Sequence, residues 1–140
     1  MTFDGQMRVG SLEMAAALLA VAVIAARPRV RAAAEIGRLQ PMRVVLEVRE
    51  RTGAHQYVGR PPFEVGRGRD LDVVLQDAEV SRRHVRFESG NGAVYVEDLK
   101  SSNGTFVNGR RVAEPAEVRE GDTVDVGTTR MLVKSVQPWT

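Results

Sequence analysis

Three short polar stretches hold most of the reactive and charged side chains that have no obvious packing role in this 140-residue chain. The first is Gly66-Arg67-Gly68-Arg69-Asp70, where two arginines alternate with glycines whose bare backbone lets a ligand come close. The second is Val80-Ser81-Arg82-Arg83-His84, which sets a hydroxyl, two guanidiniums and an imidazole in succession. The third runs from Ser101 to Gly109 and concentrates hydroxyls and amides around the pairs Asn103-Gly104 and Asn108-Gly109. Many donors and cations with few carboxylates between them make a receptor for an oxyanion. A dianionic phosphoryl group suits it, because an Arg fork meets two of its oxygens while hydroxyl, amide and backbone N–H groups satisfy the rest. Residue types alone reach anion binding and stop there.

Each stretch lies between strand-like runs, where side chains are not committed to a core. Val44, Leu46 and Val48 fall on one face of a strand, and polar residues separate Phe63 from Val65, Val85 from Phe87, Val94 from Val96, and Val124 from Val126. That period of two is the mark of half-buried strands. The turns between them carry Gly90-Asn91-Gly92 and the two Asn-Gly pairs, residues that accept positive φ. About ten or eleven short strands in some hundred residues predict an all-β fold, a two-sheet β-sandwich.

The chain has no cysteine, which excludes a disulfide framework, a thiolate nucleophile and cysteine-ligated metal. The pI near 9.5 suggests nucleic-acid binding until the charges are placed. Residues 1–40 hold five arginines against three acids, so fifteen charges of each sign remain in the other hundred residues. The body of the protein is neutral, and no nucleic acid is expected as a partner. The two histidines, His55 and His84, are far apart in the sequence, and no metal or other cofactor is expected.

Leu12 to Ala26 is apolar all round apart from Glu13 and contains no helix breaker. The pattern predicts an N-terminal α-helix; residues 9–26 would span about 27 Å, slightly short of a hydrocarbon core of about 30 Å. Basic residues follow at Arg27, Arg29 and Arg31, so a membrane anchor would leave the rest of the chain on the cytoplasmic side. The alternative is a soluble helix that docks on the domain or on a partner. Basic residues after the apolar run rather than before it argue against a cleaved signal peptide. The expected organisation is an apolar helix and basic linker over residues 1–40, then a sandwich over 41–137.

Gly66-Arg67, Ser81 with His84 three residues on, Asn103-Gly104-Thr105 and Asn108-Gly109 together resemble, in order and spacing, the signature of the forkhead-associated (FHA) domain. Asp77, Asp98-Leu99 and Gly121-Asp122 fit the same pattern, and the likeness covers about residues 42–135. The resemblance implies a β-sandwich whose loops at one end hold a phosphothreonine in an extended peptide. It makes Arg67 the phosphate-binding arginine and Ser81 a hydroxyl donor to phosphate. Arg82 would add a backbone or side-chain contact, Ser102 would lie near the phosphothreonine, and Asn103 would bond the peptide main chain. Gly66, His84, Gly104, Thr105, Asn108 and Gly109 would shape and brace the loops. In this family the threonine methyl serves to exclude phosphoserine.

Ser81 and His84 tempt a hydrolase reading, but a Ser-x-x-His entering a strand lacks the orienting partner and oxyanion hole such chemistry needs. No catalytic residue is expected, and the chain reads as a binding module rather than an enzyme. Arg69, Arg83, Arg86, Arg110 and Arg111 are each readable as solvated charge, the expectation for Arg86 on an outward strand face. Arg69 and Arg83 lie beside the phosphate loops and are candidates for reading residues after the phosphothreonine. The expected function is phosphothreonine-peptide recognition in Ser/Thr kinase signalling, with a partner in trans and a separate upstream kinase. The alternative is a phosphate-independent scaffold on the same sandwich.

Overall fold

The computed structural model describes residues 41–139. The apolar segment 9–26 and its basic linker lie outside the described residues. Among those described, eleven strands form two sheets and no helix is present. In chain order the strands are β1 (Met42–Glu50), β2 (Gly53–Gly59), β3 (Phe63–Gly66), β4 (Val73–Val74), β5 (Val85–Gly90), β6 (Ala93–Asp98), β7 (Thr105–Val107), β8 (Arg110–Arg111), β9 (Ala116–Val118), β10 (Thr123–Val126) and β11 (Thr129–Pro138). One sheet has the order β2-β1-β11-β10-β7-β8 and the other β4-β3-β5-β6-β9.

The alternating valines become the inner faces of both sheets. Val44, Leu46 and Val48 of β1, Val65 of β3, Val85 and Phe87 of β5, Val94 and Val96 of β6, and Val124 and Val126 of β10 are all inaccessible to solvent. β-branched side chains suit this setting, since their restricted χ1 packs well on a pleated surface. Phe63 stacks on Phe87 with ring centroids 4.8 Å apart, and Tyr57 meets Phe63 edge-on at 5.2 Å.

β2 is not among the alternating runs of the sequence. The turn is Arg51-Thr52, and His55 stands opposite Val48 in an antiparallel ladder. The strand escapes sequence recognition because it is a sheet edge whose residues 53–56 are all exposed, so no apolar alternation marks it. The Asn-Gly turns are as expected. Asn91-Gly92 and Asn108-Gly109 both adopt positive φ and close the hairpins β5–β6 and β7–β8 with the twist that right-handed strands require.

Strand direction gathers the polar loops at one end. Val85 pairs with Val65 and with Asp98, so the end of β3, the start of β5 and the end of β6 lie side by side. In the other sheet Thr105, at the start of β7, pairs with Val126 at the end of β10. A hydrogen bond of 2.7 Å from Thr105 Oγ1 to Asp98 Oδ1 joins these ends across the two sheets.

Candidate functional site

The Arg67 and Ser81 loops are stitched together along their backbones. Arg67 N–H donates to Ser81 O and Gly68 N–H to Arg82 O, each at 3.0 Å, while His84 N–H donates to Val65 O at 3.0 Å. Gly66 is required at this crossing. A Cβ there would stand 2.3 Å from Arg82 O, closer than any real contact. Arg67 Nε donates to Val80 O at 3.1 Å, which steers the guanidinium along the loop and leaves its two terminal nitrogens unspent among the described residues.

The third loop is tied to the second by side chains. Ser102 N–H donates to Ser81 Oγ at 3.0 Å. With a lone pair of Ser81 so engaged, its O–H remains free to donate to an incoming oxygen. Asn103 Nδ2 donates to Glu79 O at 2.8 Å and leaves its Oδ1 open on an exposed surface. The Arg82 carbonyl is spent on Gly68, while its side chain is exposed and forms no ion pair among the described residues.

His84 is buried beneath these loops and fixes both. Its Nδ1 accepts from Ser81 N–H at 3.0 Å, and its Nε2 lies 2.9 Å from Gly104 O. An amide N–H can only donate, so Nδ1 is the acceptor and the proton sits on Nε2, aimed at the Gly104 carbonyl. Neither ring nitrogen bonds the Ser81 hydroxyl. Gly104 itself turns at φ +87°, and its N–H donates to Ser101 Oγ at 2.9 Å.

Two carboxylates brace the loops from below. Asp98 accepts from Ser101 N–H at 3.1 Å, from Ser101 Oγ at 2.5 Å and from Thr105 Oγ1. Asp77 accepts from Glu79 N–H, from the amide and hydroxyl of Thr128, and from Thr129 Oγ1, all within 3.0 Å. Burial pushes both carboxyls up, but the hydroxyl and amide donors outweigh it and hold each below the usual carboxylate range. Asn108 braces the next turn: its Nδ2 donates to Asp122 at 3.0 Å and its Oδ1 accepts from Thr123 N–H at 3.0 Å. Gly109 completes that turn and has no atom close to where its Cβ would lie.

The two specificity candidates differ. Arg83 donates through Nε and a terminal nitrogen to both oxygens of Glu64, at 2.7 and 2.5 Å. Arg86 joins the same carboxylate at 2.8 Å and approaches Glu88 at 3.6 Å, so it is paired rather than freely solvated. Bonds from Arg83 and then Arg86 hold the Glu64 carboxyl down at about 2. Arg69 is exposed and forms no ion pair among the described residues. Glu64 was invisible to motif reading because it lies on a strand, and only the register that sets it opposite Arg86 shows its role.

A two-sheet sandwich with its donor-rich loops gathered at one end defines a class of recognition domain in which rigid strands position variable loops. The family model for the FHA domain matches residues 63–127, from β3 to the turn after β10. The chain is 38% identical over 80 residues to the glycogen accumulation regulator GarA of Mycolicibacterium smegmatis, covering 57% of this chain and 50% of that protein. A solved structure of the FhaA FHA domain, complexed with the intracellular domain of Rv3910, superposes with a TM-score of 0.58 at 32% identity; it covers 64% of this chain and 98% of that one. Another, from a study of phosphothreonine-dependent FHA domain interactions, gives 0.59 at 29% identity over 70% of this chain and 98% of that one. The chain belongs to the FHA domain family. It spans about half the length of the curated relatives it matches.

Proposed function

We propose that residues 41–137 read phosphothreonine in a peptide supplied by another protein, with Arg67 and Ser81 as the phosphate ligands. The observation that carries this reading is that Arg67, bonded by its N–H to the Ser81 carbonyl and by its Nε to the Val80 carbonyl, keeps both terminal nitrogens unspent among the described residues, while Ser81 keeps its hydroxyl proton. Such a pair meets a dianion with charge-assisted bonds that an unmodified threonine cannot make. Ser102 and Asn103 carry the peptide beyond the phosphate, the open Asn103 Oδ1 accepting a main-chain N–H. A related domain solved in a study of phosphothreonine-dependent interactions supports the same ligand.

Phosphorylation by a separate Ser/Thr kinase is then the switch, and the chain acts on the cytoplasmic side, tethered there if the apolar segment 9–26 inserts in a membrane. A binding module rather than a hydrolase is supported by His84, whose nitrogens face backbone atoms instead of the Ser81 hydroxyl.

The test is calorimetric titration of the full chain with a degenerate phosphothreonine peptide library beside phosphoserine and unphosphorylated controls. Binding is expected only for phosphothreonine. Arg67→Ala, at an exposed residue, should cost about 2 to 5 kcal/mol of affinity with the fold intact, as for truncation of one partner of a charge pair. Equal binding of all three libraries would overturn the reading in favour of a phosphate-independent scaffold.

A further inference from the structure

Among the described residues the two sheets end on β2 and β8 and on β4 and β9, and of these edges β2 alone is long and uncharged. β4 and β8 are two residues each, β8 being Arg110-Arg111, and the three residues of β9 include Glu117. Short length and charge keep an edge from pairing with another chain. β2 is Gly53-Ala54-His55-Gln56-Tyr57-Val58-Gly59, seven residues without Asp, Glu, Lys, Arg or Pro. Its ladder with β1 runs from Glu50 opposite Gly53 to Val44 opposite Gly59 with no shift of register, so no bulge turns the edge away.

That register decides which backbone groups are free. Gly53 faces Glu50 across the two-residue turn Arg51-Thr52, a pair that exchanges both of its backbone bonds. Hydrogen-bonded pairs alternate along an antiparallel ladder, so His55, Tyr57 and Gly59 also spend their N–H and C=O groups on β1. Those of Ala54, Gln56 and Val58 point away from β1, and no hydrogen bond reaches them among the described residues. His55 and Tyr57 lie opposite the buried Val48 and Leu46, so the side chains of Ala54, Gln56 and Val58 share the outer face, where Val58 is 45% exposed beside Val45.

We propose that β2 is the contact through which two copies of this chain join, the six-stranded sheet of each continuing into the other across antiparallel β2 strands. The occupant is a second copy because this edge complements itself. With a two-fold axis at Gln56, Gln56 meets its own counterpart and Ala54 meets Val58, so every outward N–H finds an outward C=O of the other copy. The side chains agree: Ala54 packs on Val58, the two Gln56 amides bond one another, His55 stands beside Tyr57, and no charge of β2 is set against its like. A slip by one residue would set outward groups against spent ones, and a slip by two would leave a pair unmade. The inference is independent of the phosphothreonine reading, since none of residues 53–59 takes part in the bonds that hold the Arg67 and Ser81 loops.

Analytical ultracentrifugation of the full chain should give a mass that rises with concentration toward twice that of one copy. Gln56→Pro should hold it at the single-copy mass with the domain folded, because the N–H that proline removes is one β1 does not use. Val58→Lys, at an exposed position, should do the same through charge, and circular dichroism checks the fold of both. Cross-linking tests the register. The chain has no cysteine, so Gln56→Cys introduces a single thiol about 5.5 Å, Cα to Cα, from its counterpart and within disulfide reach. Mild oxidation should join Gln56→Cys into a covalent dimer and leave Ala54→Cys single, its counterpart lying more than about 13 Å away. Assembly through segment 9–26 would cross-link both variants or neither. A single-copy mass for the wild type at every concentration, a dimer that survives in folded Gln56→Pro or Val58→Lys, or equal cross-linking of the two cysteine variants overturns the proposal.

Discussion

Ser102 N–H donates to Ser81 Oγ across 3.0 Å, so one hydroxyl both joins the second loop to the third and keeps its own proton for a ligand. The two residues are 21 positions apart in the chain, and the bond sets the spacing of their loops. Ser81→Ala removes a bond to a charged acceptor and should weaken phosphopeptide binding by about 1.5 to 3 kcal/mol. Stability should change by less than about 1 kcal/mol, because Ser102 is exposed and water can take its N–H. Titration beside a urea melt separates the two effects.

His84 has no accessible surface and satisfies two backbone groups from different loops. His84→Ala leaves Ser81 N–H and Gly104 O without their partner and should cost about 2 to 6 kcal/mol of folding stability, about one to three for each group. Urea unfolding measures this. A loss below about 1 kcal/mol would mean that water fills the site and satisfies both groups.

Gly66→Ala should be among the most damaging small changes in the domain. The added methyl meets the Arg82 carbonyl, a backbone atom that cannot swing aside, so the Arg67 and Ser81 loops must part. A loss of about 1 to 3 kcal/mol in stability is expected from such overpacking, with phosphopeptide affinity falling further than in a surface control. Thermal melts and titration of the same sample check both.

Glu64 gives the domain a defined acid sensitivity. Its carboxyl is lowered from 4.5 to about 2 by the Arg83 and Arg86 guanidiniums. A carboxyl lowered in the folded state adds stability above its unfolded value, and that contribution is lost as pH falls from about 4.5 toward 2. Asp77 and Asp98 are lowered too, so the whole domain weakens in acid and a difference measurement is needed. Glu64→Gln should be less stable than wild type by about 1 kcal/mol at neutral pH, the gap closing near pH 2. Melting temperatures of both proteins from pH 2 to 7 test this.

The half-buried strands, the positive-φ turns and the polar loops between strands were legible in the sequence, because each rests on local physics; the exposed edge strand β2 was not. A side-chain period of two marks a half-buried strand, Asn-Gly marks a tight hairpin, and polar residues between strands are free of the core. The turns at Asn91-Gly92 and Asn108-Gly109 and the buried faces of β1, β5, β6 and β10 followed from these rules. What only the tertiary structure decided is which neighbours each charged side chain meets. Glu64 captures Arg83 and Arg86 because β3 lies antiparallel to β5 in one register. Those relations join residues up to 22 positions apart, and the pairing of strands that creates them leaves no mark on the sequence around any one of them.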